Sequence, residues 1–333
     1  MNIAVVTDST ASLPHELRSE HGIVVVPLHL VVDGQEQVEG DDVGTDWVVD
    51  ALRRKVDIST SRPAPVSFLR AYEQAAKGGA DAIISVHLST AMSGTADSAR
   101  SAALESPVPV HVVDSRTIGM AVGFAAVSAS RDAAAGRDVE DVLERLERRL
   151  DASSVRLLVH SLERLRRGGR IGGAAALLGS ALAVKPVLHV QDGQVEPLER
   201  VRTASRAIAR LQALTVEHHD NLPEWAGDVD IAVQHVDAGE RAQGLARTLA
   251  DALSTKVETT RLSATVASHV GLGTIGVAPG SAPPLGPPTS LARPVATGCG
   301  AASCRAMTYR PPSSATASAT TSATPMIACR LTA

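Results

Sequence analysis

Cysteine is absent from the first 298 residues: Cys299, Cys304 and Cys329 all fall near the end of the 333-residue chain. The body of the protein therefore has no disulfide framework, no thiol nucleophile and no cysteine-based metal site. Aromatic residues are nearly missing, with two each of Trp, Tyr and Phe, too few for a platform on which bases stack. Lysine occurs only at Lys55, Lys77, Lys185 and Lys256, never after glycine, so a GxxxxGK[ST] phosphate loop is excluded. No run of 18 or more apolar residues occurs, which excludes a membrane-spanning helix and stable membrane insertion. MNIAVVTDST lacks the basic leader of a signal peptide. Residues 281–333 hold four arginines and no acid, leaving 28 basic against 36 acidic side chains before them. So acidic a body is unsuited to neutralising phosphates, and no nucleic-acid partner is expected. The expectation is a cytoplasmic α/β protein.

What is present is an alternation of short β-branched runs with longer Ala/Leu/Arg segments, the pattern of α/β architecture. Strands are expected at Ile3–Thr7, Val24–Leu30, Ala82–His87 and Val110–Asp114, continuous apolar runs of the kind buried on both faces. Between and after them, 46–54, 66–76, 93–104, 119–135 and 138–150 have helical spacing. Residues 1–152 thus read as a parallel α/β/α domain. Residues 153–280 read as an α+β domain, with strands near 155–160, 186–190, 195–201, 230–234, 257–262 and 274–278. Asp192-Gly193 supplies the positive-φ residues of a hairpin turn, and Gly172–Ala181 reads as a small-residue helix. Of the 53 residues 281–333, 38 are Ala, Pro, Ser, Thr or Gly. That segment is expected to be a disordered tail, since it cannot bury enough surface to offset ordering entropy.

Polar clusters stand where strands end: Asp8-Ser9-Thr10, Ser59-Thr60-Ser61-Arg62-Pro63, Ser89 to Thr95, and Asp114-Ser115-Arg116-Thr117. Open parallel sheets bind ligands beyond the carboxyl ends of their strands, and hydroxyl and N–H groups there suit an anion. Each cluster alone is also what a helix cap requires. Hydrolysis has weak support, because Ser93 lacks the Gly-x-Ser-x-Gly context and no second aspartate accompanies Asp8. A phosphotransferase or hydrolase using Asp8 and the Ser93 turn on a small substrate remains the alternative. His218-His219-Asp220 reads as a helix end rather than a metal site, so no metal is expected. His269-Val270-Gly271-Leu272-Gly273 places a histidine before a glycine-rich turn, where the backbone can approach a ligand.

Read in order, Thr7 to Pro14, Thr60-Ser61-Arg62-Pro63, Met92-Ser93-Gly94-Thr95, Val113-Asp114-Ser115-Arg116, Arg164 to Ile171, Val184 to Leu188, Val201-Arg202-Thr203 and His269-Val270-Gly271 strongly resemble the DegV family of bacterial fatty-acid-binding proteins. The likeness covers about residues 1–279. It implies two α/β domains with a long-chain fatty acid between them. It also implies a carrier subunit without catalytic residues of its own or a cofactor. The carrier would present the bound acid to a separate DAK-like fatty acid kinase, which makes an acyl-phosphate for phospholipid synthesis. By the same resemblance Thr60, Ser61, Ser93, Gly94 and Thr95 would hold the carboxylate, while Arg202 and His269 would serve the kinase step. Asp8, Ser9, Asp114 and Arg170 are further polar candidates for the pocket. The chain departs from the family pattern at Arg62, where Gln is usual, at Met92, where Leu is usual, and at Leu272, where Pro is usual.

Overall fold

The computed structural model describes residues 1–40, 42–177 and 185–286. In chain order, β1 (Ile3–Asp8), a 3-10 turn at Ser9–Ala11 and α1 (His15–Glu20) lead to β2 (Val24–Val26). Then come β3 (His29–Val32), β4 (Gln35–Val38), α2 (Thr45–Arg53), β5 (Ile58–Ser61) and α3 (Pro65–Lys77). The first half ends with β6 (Ala82–His87), α4 (Thr95–Ala103), β7 (Val110–Asp114), α5 (Met120–Ala134) and α6 (Val139–Asp151). The second half opens with β8 (Arg156–Leu158), α7 (Glu163–Arg167), a 3-10 stretch at Gly172–Leu177, β9 (Lys185–Gln191) and β10 (Gln194–Val201). It closes with α8 (Ala204–Asp220), β11 (Val229–His235), α9 (Gly239–Leu253), β12 (Val257–Arg261), α10 (Ala264–Val270) and β13 (Ile275–Ser281).

Four parallel strands, in the order β2-β1-β6-β7, make the first sheet. Its alternating side chains divide between two layers of helices, as the period of two requires. Ile3, Val5, Ile84 and Val86 pack on α5 and α6, and Val6 and Ile83 pack on Phe68, Tyr72 and Ala99 of α3 and α4. The six-stranded sheet, β10-β9-β8-β13-β11-β12, is mixed: β11 and β12 are parallel and every other pair is antiparallel. One face of it packs on α8 and α9 through Leu158, Val187, Ile231, Val233 and Val277. The other face contributes Leu157, Leu188, Val195, Ala232 and Val236 to a core shared with Leu88, Met92 and Phe124. The parallel sheet and the mixed sheet thus share one core, and the described residues belong to one compact unit.

Several details differ from the sequence-based expectation. Val24–Leu30 is not one strand. Pro27, which offers no N–H to a ladder, stands where the chain leaves β2 and enters β3 of a small antiparallel sheet, β4-β3-β5. Thr60 and Ser61 lie within β5, a strand absent from those expected. His269 stands before the Gly271 turn as expected, but on a helix, α10, that was not. Gly172–Leu177 is a 3-10 stretch, and the remainder of the expected helix Gly172–Ala181 lies outside the described residues. The boundary at residue 281 also shifts. Ser281 completes β13 and is fully buried, and the carbonyls of Pro283 and Pro284 accept from Arg145 Nη2 at 2.7 and 3.1 Å. The rest of the expected tail, from residue 287 on, lies outside the described residues. The Asp192-Gly193 hairpin is present, with φ of 48° and 79°. No helix among the described residues is long and apolar enough to cross a membrane.

Candidate functional site

A cavity lies where the carboxyl ends of the parallel strands face the inner side of the mixed sheet. Leu28, Leu88, Met92, Ile118, Val155, Leu157, Leu165, Val190, Val195, Leu262, Val266 and Val270 supply an aliphatic wall. Thr60, Ser93, Arg170 and His269 are among the few polar side chains that join them, and Arg170 is the single fully charged one.

The polar residues are assembled from distant segments. β5 pairs with β3, Thr60 opposite Leu30, and the Thr60 hydroxyl lies 2.9 Å from His269 Nε2. Successive strand residues point to opposite faces, so Ser61 turns away and its hydroxyl donates to Glu36 at 2.7 Å. Ser61 does not line the cavity. α10 is held at its start by the Ser263 hydroxyl, which accepts from Val266 N. A second hold is Glu39, a buried carboxylate that accepts from the backbone N–H and hydroxyl of Thr265 at 3.2 and 2.7 Å. The same carboxylate accepts from Ser9 Oγ at 2.6 Å. Gly271, at φ 80°, ends α10 two residues after His269.

The His269 ring rests on Gly168, at the end of α7: a Cβ at that position would stand 2.3 Å from Nδ1. Burial, then the nearby cations Arg170 and Arg164, push the imidazole down from 6.5 to about 4. His269 is therefore neutral at physiological pH and acts as a hydrogen-bonding group rather than a cation. Arg170 Nε donates to the Met92 carbonyl at 3.0 Å, tying the loop after α7 to the turn that carries Ser93. That turn is closed by Met92 N and Ser93 N donating to Ser89 O. The Ser93 hydroxyl lies 2.9 Å from the Thr95 hydroxyl. Arg62 lies across Gly94, where a Cβ would stand 2.2 Å from Nη1.

The remaining sequence candidates lie elsewhere. Asp8 is fully buried and accepts from Thr10 N, Thr10 Oγ1 and Leu88 N, and it pairs with His87 Nδ1 at 2.9 Å. It caps the turn after β1 and does not line the cavity. Ser9 donates to Glu39 and accepts from Leu28 N at 3.0 Å. Asp114 holds the loops after β6 and β7 by accepting from Thr90 N, the Thr90 hydroxyl and Arg116 N. Arg202 is exposed between β10 and α8, and neither it, Gly94 nor Thr95 lines the cavity. Among the described residues, no group of three or more His, Cys, Asp or Glu is placed to hold a metal ion. Glu39, Gln234 and Thr265 went unremarked as site residues in the sequence, and Gly168 figured only within the Arg164 to Ile171 motif. Of these only Gln234 carried a signal, a polar residue on the inward face of an apolar strand.

A family model described as "Uncharacterised protein, DegV family" matches residues 2–279. The chain belongs to the DegV family. It is 44% identical over 278 residues to a DegV domain-containing protein of Streptomyces coelicolor, covering 83% of this chain and 97% of that one. A DegV family protein of Thermus thermophilus, whose structure is described by its fatty acid binding, superposes with a TM-score of 0.77 at 33% identity. The match covers 84% of this chain and all of that one. Bacillus subtilis DegV, described as a fatty acid binding protein, gives a TM-score of 0.77 at 32% identity, over 84% and 99% of the two chains. The two-domain DegV architecture, a parallel sheet and a separate mixed sheet, is thus common to this chain and these relatives.

Proposed function

We propose that this DegV protein is a carrier that binds one long-chain fatty acid in the cavity, carboxylate toward Thr60, Ser93, Arg170 and His269. The observation that carries the reading is the composition of the wall: aliphatic throughout most of its extent, with hydroxyls, one guanidinium and a neutral imidazole among it. Hydroxyl and guanidinium donors stabilise a carboxylate through charge-assisted hydrogen bonds without a metal. The chain supplies most of the affinity. About fifteen CH₂ and CH₃ groups at ~0.8 kcal/mol each give roughly 12 kcal/mol before the costs of ordering and association. Fatty acid binding by the Thermus and Bacillus relatives supports the same reading.

The family resemblance extends the proposal to a partner. The carrier presents the carboxylate to a separate DAK-like fatty acid kinase, and the acyl-phosphate product feeds phospholipid synthesis. In this scheme the DegV chain performs no chemistry. Gly94 and Thr95 shape the turn that presents Ser93, Ser61 contributes through the strand it shares with Thr60, and Arg202 faces the kinase from the exposed surface. The alternative of an Asp8 nucleophile has little support, because the carboxylate is buried among four protein hydrogen-bonding groups away from the cavity.

The test is extraction of the purified protein with organic solvent and mass spectrometry of the extract. A stoichiometric C14–C18 acid is expected. No lipid in the extract, together with no binding of added oleate, would reject the reading.

A further inference from the structure

The cavity wall holds a buried donor that the carboxylate site does not use. Gln234 is 2% exposed and lines the cavity. On β11 it shares a face with Ala232, and with Val236 just past the strand's end, both part of the apolar core. Both halves of a buried amide need partners, and only one half has one. Oε1 accepts from the backbone N–H of Met120 at 3.0 Å, at the start of α5. A backbone N–H can only donate, so this bond fixes which way the amide is turned. Gly119 permits the approach: its φ is 68°, and a Cβ there would stand 2.6 Å from Oε1. Nε2 is buried with no hydrogen-bond partner. The cavity-lining hydroxyls of Thr10 and Thr265 cannot take its place, because their protons are committed to Asp8 and Glu39.

An all-hydrocarbon chain seated against this amide would leave its N–H groups dry and unpaired, which opposes binding. We propose that Gln234 determines specificity within the fatty-acid site by donating to an oxygen carried along the acyl chain. The favoured ligand is then a fatty acid with an in-chain hydroxyl or keto group rather than its unsubstituted parent. This inference rests on the fatty-acid reading of the cavity.

The experiment is a competition titration of the delipidated full chain with stearate and with a positional series of hydroxystearates. It is repeated on Gln234→Met, which keeps side-chain length and removes the donor. In the unsubstituted protein one positional isomer is expected to bind about ten-fold more tightly than stearate, the worth of one good hydrogen bond. In Gln234→Met that preference is expected to vanish while stearate binds at least as well as before. Taking the ratio within each protein cancels any loss of folded material from the lost contact with Met120. Binding of every isomer equal to or weaker than stearate in the unsubstituted protein overturns the proposal and assigns the amide a water only. Weaker stearate binding in Gln234→Met with an unchanged ratio also overturns it, since the amide would then serve the carboxylate or the helix. Failure of stearate and all isomers to bind at all instead overturns the fatty-acid reading itself.

Discussion

The hydroxyl of Thr60 and Nε2 of His269 lie 2.9 Å apart although 209 residues separate them in the chain. The bond joins the small antiparallel sheet to α10 at the polar part of the cavity wall, and it makes a strand residue and a helix residue one unit. In the proposed carrier, His269 orients the Thr60 hydroxyl while Ser93 and Arg170 supply the other donors.

Ser93→Ala is expected to raise the Kd for palmitate by about ten-fold, the loss of one hydrogen bond to a charged group. His269→Ala is expected to change that Kd by less than about three-fold, because the buried chain supplies most of the affinity. It should instead depress acyl-phosphate formation in a reconstituted kinase assay. Equal losses of lipid binding in the two variants contradict this division of labour.

The pH dependence of stability follows from the depressed imidazole of His269. Its native value of about 4 lies below the ordinary 6.5. Above pH 6.5 neither state holds the proton, and the neutral buried ring is fully tolerated. As pH falls from 6.5 to 4 the unfolded chain takes up a proton that the native state refuses, so stability falls, by at most about 1.4 kcal/mol per pH unit for one group. His21, His189, His218 and His235 are pushed the same way by burial. The difference in unfolding free energy between the protein and His269→Gln, followed from pH 7 to pH 4, isolates the one ring. A difference that does not change over that range contradicts the assignment.

Gly168→Ala tests the seat of the ring. The φ of Gly168 is −72°, which alanine adopts without strain, so the substitution acts through the 2.3 Å approach of its Cβ to Nδ1. The ring is expected to move out toward solvent, and its NMR titration should rise toward 6.5 with partial loss of the kinase step. An unchanged titration would show that the ring does not depend on this glycine.

Glu39→Ala removes the acceptor shared by Ser9 and Thr265. Buried donors left unpaired cost about 1–3 kcal/mol each, and Thr265 loses the partner of two, so a loss of roughly 2–6 kcal/mol is expected in denaturant unfolding. Palmitate affinity should fall with it, since α10 carries Val266, His269 and Val270 on the cavity wall. A variant as stable as the parent would remove Glu39 from the account.

The parallel sheet was legible because its strands are apolar on both faces. Ile83 and Ile84 face opposite helix layers, and neither could be solvated. The small sheet was not, because β5 reads Ile-Ser-Thr-Ser and β4 reads Gln-Glu-Gln-Val, segments whose pairing rather than hydropathy makes them strands. α10 escaped notice because seven residues, three of them β-branched, carry too little helical period to register. Thr60, Ser93 and His269 could be singled out from motifs, yet the turn of Ser61 away from Thr60 needed the strand to be known first. The Glu39–Thr265 contact spans 226 residues, and no local pattern encodes it. Gln234 stood in plain view between apolar neighbours, but its unpaired amide depends on where Met120 lies.

The most direct test of the central claim is calorimetric titration of delipidated protein with palmitate, beside a Thr60→Val, Ser93→Ala double variant. The account predicts saturable binding of one palmitate per chain and a Kd raised about a hundred-fold in the double variant, two hydrogen bonds' worth. No saturable binding to the unsubstituted protein, or equal affinity in both proteins, would contradict it.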